Sequence, residues 1–215
     1  MDWIRARSDE QIKQRLNEIV DATARLYEEN RFEDITFAMI AKEANFTRSN
    51  LYRYFQTKED IFLELMKHDI EAWRKDSLEK FADGNPSFHD VAEISVELIL
   101  KHKRMIKLLT ILFTLLEPNA SLEVLTAFKK KITEEIGVVA QFLSTKLPFP
   151  SVEAAAEFLS AQSYLAIGAF PMMNLTHKQK EAMLAAGEEI DPEYYRERLI
   201  HAIELLLKGF TAGSL

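Results

Sequence analysis

The sequence has no cysteine. That excludes a disulfide framework, a thiolate metal site, a catalytic cysteine and a thiol redox sensor. It also fits a reducing compartment. Only 6 glycines and 6 prolines stand among the 215 residues. Collagenous and low-complexity chains are thereby excluded, and a turn-rich all-β protein is disfavoured. No apolar run is long enough to cross a bilayer. The most apolar, Met105 to Leu116, contains Lys107 and stops at Pro118. The first residues lack the apolar core of a secretory signal, so the chain is expected in the cytoplasm. Basic residues are outnumbered, and the net charge of −7 argues against a general polyanion binder.

Catalytic signatures are also missing. There is no G-x-S-x-G, H-E-x-x-H, P-loop or dinucleotide fingerprint, and no enzyme activity is expected. The five histidines, His68, His89, His102, His177 and His201, include no pair spaced for one helix face. A metal would need ligands from separate helices, so neither metal nor cofactor is expected.

What is present is apolar periodicity. With 47% apolar residues the chain can build a real core. Nearly every segment repeats near 3.6 residues, and no period-2 strand stands out, so the fold class is all-α with about nine helices. The first helix is expected from about Asp9 to Glu29, with Ile12, Leu16, Ile19, Thr23 and Leu26 as its apolar stripe. A compact stretch follows, from Thr36 to Phe55. A fourth helix begins at Thr57, with Phe62, Met66, Ile70 and Trp73 on one face. Asp83-Gly84-Asn85-Pro86 breaks the chain.

Val91, Ile94 and Leu98 are in phase on a fifth helix. Met105–Leu116 is apolar almost all round, which predicts a central helix with neighbours on every side. Leu125, Phe128, Ile132, Ile136, Val139 and Leu143 stripe a helix from about Ser121 to Lys146. A small-residue helix starts near Ser151, and Pro171 either kinks or ends it. A looser stretch, Asn174 to Ile190, leads to Asp191-Pro192, which opens the last helix with Leu199, Ile203, Leu206 and Phe210 on one face.

The informative segment is TFAMIAKEANFTRSNLYRYFQTKEDIF, from Thr36 to Phe62. Thr36 and Thr47 can each cap a short helix. Asn45 can take the left-handed conformation of a tight turn. Leu51 and Phe55 face inward, and Thr57 with Asp60 makes a capping box for the next helix. Helix, short turn, helix is the helix-turn-helix pattern. Between Thr36 and Lys58 four basic residues, Lys42, Arg48, Arg53 and Lys58, face one acid, Glu43. The segment carries +3 in a chain whose remainder carries −10.

Three features suit phosphate: the capped helix N-terminus at Thr36, the Tyr52 hydroxyl, and Lys58. Lys58 opposes the dipole of the helix it opens, a placement that a bound phosphate would explain. Arg48, Ser49 and Asn50 occupy the N-terminal end of the second helix, the part that reaches base edges. Pattern and charge alone leave two readings open, a DNA-binding face or a three-helix core with a solvated charged face. Arg5 and Arg7 are either a minor-groove arm or a solvated terminus.

Phe32, Thr36, Ile40-Ala41, Ala44, Thr47, Leu51-Tyr52, Tyr54-Phe55 and Thr57-Lys58-Glu59 resemble the DNA-binding domain of TetR-family transcriptional regulators, over roughly residues 9 to 65. The resemblance implies a helix-turn-helix domain, residues 1–56, and a helical ligand-binding and dimerisation domain, residues 57–215. It implies phosphate contacts from Thr36, Tyr52 and Lys58, and a groove-facing set of Arg48, Ser49, Asn50 and Tyr54. Asn45 and Ser49 stand where the family often has glycine. The Ser49 side chain changes how closely the helix can approach DNA.

The resemblance further implies a homodimer through the last two helices, bound to a pseudo-palindromic operator in double-stranded DNA and released by a small, apolar effector. His102, Phe113, Leu116, Phe142, Tyr164, Phe170 and Met173 are the pocket candidates, with Met172 beside them. The same residues would look identical as plain core. A helical adaptor without DNA binding and an enzyme of unknown class are the competing functions.

Overall fold

The computed structural model describes residues 2–82, 84–188 and 191–212. Asp83 of the expected break and Ile190 of the expected loose stretch lie outside the described residues. All regular structure among them is helical. The chain divides into two compact units, one of residues 1–68 with 111–131, the other of residues 69–110 with 132–215.

The first unit opens with α1 (Asp2–Glu29). The helix begins several residues before the expected Asp9, so Arg5 and Arg7 lie on helical backbone rather than on an extended arm. Ile12 is 46% exposed and lies outside the packed stripe. Residues 10–15 are all exposed, and packing begins with half-buried Leu16 and buried Ile19 and Val20. Thr23 fits the buried stripe because its hydroxyl donates to the Ile19 carbonyl at 2.9 Å.

A 3-10 turn, Phe32–Asp34, leads to α2 (Phe37–Glu43) and α3 (Arg48–Leu51). The long α4 (Lys58–Lys80) contributes its first half to this unit. Phe62 of α4 is fully buried and takes the ring edges of Tyr27 at 5.2 Å and Phe32 at 4.9 Å. Burying such a side chain contributes about 2–3 kcal/mol. Burial pushes the Tyr27 hydroxyl pKa above the ordinary tyrosine range.

In the second unit, α5 (Phe88–Lys101) starts at a Ser87–Asp90 capping box. The following α6 (Lys103–Ile111) ends sooner than its apolar run suggests. Residues Leu112–Leu116, in the first unit, form a π-turn in which the Glu117 N–H reaches the Leu112 carbonyl. The expectation of a central helix with neighbours on every side is corrected here. Phe113 is 60% exposed, whereas Leu112 and Leu116 are buried. Pro118 has no N–H to continue an α-helical ladder, so the chain widens its register just before it.

The short α7 (Glu117–Asn119) and then α8 (Leu122–Lys146) follow. Next come α9 (Val152–Met173), α10 (His177–Ala185) and α11 (Pro192–Thr211). α9 continues two residues past Pro171 and ends as the Asn174 N–H bonds the Pro171 carbonyl. α10 replaces the expected loose stretch. Thr176 and Gln179 form a reciprocal capping box, and Gly187 in the left-handed region closes the far end. α11 packs on both α9 and α5. Leu199, Ile203 and Leu207 are buried, while Leu206 and Phe210 are half-buried.

Polar pairs add to this second core. Arg104 holds Asp69 with two hydrogen bonds, 2.9 and 2.6 Å. Arg74 pairs with buried Glu135.

Candidate nucleic-acid interface

The interface is built from two capped helices and one left-handed residue. Thr36 Oγ1 accepts the Met39 N–H at 3.2 Å, and Thr47 Oγ1 accepts the Asn50 N–H at 3.2 Å. Each cap satisfies a donor that a helix start leaves free. Between them Asn45 adopts φ 58°, and the chain turns back so that the Phe46 N–H meets the Ala41 carbonyl at 2.7 Å. Leu51 and Phe55 are buried as the spacing requires. The opposite side of α3 faces outward, with Arg48 and Ser49 exposed and Asn50 half-buried. Ser49 Oγ lies 3.2 Å from Thr47 Oγ1.

Tyr52 is the centre of this surface. Its ring stacks on Phe37 at 4.5 Å with 22° between planes, and it stays 49% exposed. Arg48 Nη2 donates to the Tyr52 hydroxyl at 3.2 Å, and the guanidinium lies 5.7 Å from the ring centre. The two proposed contact residues are thus held side by side, with the hydroxyl hydrogen still free to donate. Tyr54 is half-buried and presents its ring to Phe46 edge-on at 6.0 Å.

Lys58 behaves differently from the expectation. Its Nζ donates to the Phe32 and Ile35 carbonyls, both at 2.9 Å, and sits 4.2 Å from the Phe32 ring centre. The carbonyls and the ring face give its cation partners at the start of α4. A bound phosphate is therefore not needed to explain the placement of Lys58, because the protein itself supplies partners for its cation. One ammonium hydrogen remains for an outside acceptor.

Two participants escaped the sequence reading. Arg25 pairs with Glu43 at 2.8 Å and compensates the one acid of the basic segment. Arg15 lies 5.7 Å from the Phe46 ring centre. Both come from α1, and Arg25 stands 18 residues from Glu43, so no local pattern signals the pairing.

Two family models match the chain. The one described as "Bacterial regulatory proteins, tetR family" matches residues 19–65. The one described as "Tetracyclin repressor-like, C-terminal domain" matches residues 67–213, more than half of the chain. The protein belongs to the TetR family. It is therefore a DNA-binding transcriptional regulator with an N-terminal helix-turn-helix and a helical C-terminal region.

Solved structures share the fold. A TetR transcriptional regulator from Rhodococcus sp. RHA1 is 16% identical, with TM-score 0.58, over 92% of this chain and 97% of that one. The fatty acid degradation regulator FadR from Bacillus halodurans is 15% identical, with TM-score 0.55, over 91% and 95%. The repressor AlkX from a Dietzia strain is 17% identical, with TM-score 0.53, over 90% and 95%. No curated protein matches the sequence.

The pocket candidates of this TetR-family regulator fall in both units. Phe113 and Leu116 belong to the first; His102, Phe142, Tyr164, Phe170 and Met173 belong to the second. Leu116 is fully buried, whereas the exposed Phe113 ring has the Lys129 ammonium 5.2 Å from its centre. His102 ends α5, and its Nε2 lies 2.7 Å from Asp76 Oδ2. Phe142, Phe170 and Met173 are half-buried. Tyr164 is 67% exposed and Met172 55%, both on α9.

The second unit also has a polar groove of about 320 Å³ between α5 and α11, lined by His89, Glu93, Arg196, Glu197, His201, Glu204 and the buried Ile200. No helix among the described residues is long and apolar enough to cross a membrane. None of their His, Asp and Glu residues cluster as a metal site.

Proposed function

We propose that this TetR-family regulator is a repressor that binds a pseudo-palindromic operator as a homodimer and leaves it when a small apolar effector binds. The DNA-binding role is assigned to residues 1–56, and effector binding and dimerisation to residues 57–215. The observation that carries the reading is the Phe37–Tyr52–Arg48 arrangement. It holds a hydroxyl and a guanidinium on the exposed side of the recognition helix, in a segment of opposite charge to the rest of the chain.

Arg48, Ser49, Asn50 and Tyr54 read the groove in this account, while Thr36, Tyr52 and the remaining donor of Lys58 meet phosphate. Two copies place their recognition helices about 34–36 Å apart, or a multiple of that. Dimerisation is assigned to α9 and α11, where Tyr164 and Leu205 are exposed large apolar side chains. The effector site is assigned to the half-buried Phe142, Phe170 and Met173 of the second unit. The protein acts in the cytoplasm, as a regulator of genes without cofactor or metal.

Selection of genomic fragments on the purified protein, followed by footprinting at two salt concentrations, tests this directly. A symmetric footprint that weakens steeply with salt supports it. Loss of all selection, persisting after ligand stripping and refolding, overturns it.

A further inference from the structure

Asp60 is fully buried, yet among the described residues it forms no salt bridge with a basic side chain. Its partners are backbone amides. Oδ2 accepts the N–H groups of Gln56 at 3.1 Å and Thr57 at 3.2 Å, and Thr57 Oγ1 accepts the Asp60 N–H in return. That much is the capping box of α4. The other oxygen leaves the helix altogether. Oδ1 accepts the Ser121 N–H at 2.7 Å, 61 residues away. Ser121 is the residue from which α8 starts, its carbonyl accepting the Leu125 N–H. One carboxylate therefore sits at the positive ends of two helices and satisfies donors of both.

The position of each partner gives this bond its meaning. Gln56 directly follows Phe55, the last buried residue of the helix-turn-helix. Ser121 lies within residues 67–213, which match the C-terminal family model. By its contacts, however, segment 111–131 belongs with the helix-turn-helix, and Leu112, Leu116 and Phe128 are buried there. We infer that Asp60 is a positioning residue that ties the α7–α8 corner to the base of the recognition helix, so that operator binding and the state of this corner are coupled. The inference rests on the DNA-binding reading above and deepens it. Coupling of this kind is reciprocal. If the corner acts on DNA affinity, bound DNA must act on the corner.

The reciprocal effect is measurable without knowing the effector. The probe is a DNA fragment selected by the wild-type protein, and the readout is amide hydrogen exchange at Val124 and Leu125. Ser121→Pro deletes only the N–H that reaches Asp60 and the weak hydroxyl cap on Val124. Ala120 is already extended at ψ 157°, the conformation that a residue preceding proline requires. Ser121→Ala deletes the hydroxyl and keeps the N–H.

DNA is expected to slow exchange at these amides by about fivefold or more in the wild type and in Ser121→Ala, and to have little effect in Ser121→Pro while DNA is still bound. Should the proline variant lack a cooperative melt, Asp60→Asn takes its place, with the same loss expected. Equal DNA-induced protection in the proline and alanine variants overturns the inference. So does its absence in a wild type that binds DNA. A wild type that binds no DNA fails the functional reading itself, which the binding isotherm reports separately.

Discussion

Tyr52 makes three contacts at once, and they can be separated. Tyr52→Phe keeps the stack on Phe37 and removes the hydroxyl that Arg48 touches. One hydrogen bond contributes about 1 kcal/mol, so DNA affinity is expected to fall roughly fivefold with the melting temperature unchanged. Fluorescence anisotropy with a selected fragment and a thermal melt measure the two. Lys58→Met is expected to lower stability as well as DNA affinity. It strips donors from the Phe32 and Ile35 carbonyls, so stability falls by about 1–2 kcal/mol in urea titrations. A variant that loses DNA affinity at unchanged stability would return Lys58 to a mainly phosphate role. At Asn45, whose φ is 58°, Ala should cost about 1 kcal/mol, whereas Gly should be tolerated.

At the scale of elements, the caps were legible in the sequence and the partnerships were not. Thr36, Asn45, Thr47 and the Thr57–Asp60 box are local devices, readable because each acts within four residues. The local sequence offers Lys58 only a phosphate to explain its placement, because its two carbonyls lie 23 and 26 residues back. The end of α6 was missed because apolar composition hides a change of register. Only Pro118 signals the π-turn, and it does so from outside.

The start of α10 was readable, since Thr176 and Gln179 have capping-box spacing, but its polar sequence suggested a loop. That helix has no buried residue. Thr176→Ala is therefore expected to remove about 1 kcal/mol of local helix stability while leaving the global melt in place. Hydrogen exchange restricted to residues 177–185 distinguishes this from a general loss.

Over the whole molecule, charge decides two further outcomes. Asp76 receives a hydrogen bond from Lys101 and another from His102, and these hold its pKa below the ordinary carboxylate range. Its folded value lies below its unfolded one, so its contribution is fully present above the unfolded value and fades as pH falls through the folded value. The stability advantage of the wild type over Asp76→Asn should thus hold at neutral pH and shrink below about pH 4. An advantage that persists in acid would assign the effect to packing.

Self-association belongs to this scale too. Tyr164→Glu with Leu205→Glu should shift sedimentation toward the monomer and weaken DNA binding together, if α9 and α11 carry the dimer.

The bond between Asp60 and Ser121 also bears on the order in which the chain is made. A ribosome completes the helix-turn-helix early, yet the unit that contains it lacks residues 111–131 until nearly as much chain again has been added. Synthesis at roughly 5–20 residues per second makes that a delay of several seconds. A nascent or prematurely terminated product ending near residue 68 would display the reading residues on an incomplete core, with the Asp60 carboxylate missing one of its three amide donors. Such fragments should compete poorly for the operator. Control of the gene would then rest with chains that have been translated far enough to carry the Ser121 amide that Asp60 accepts.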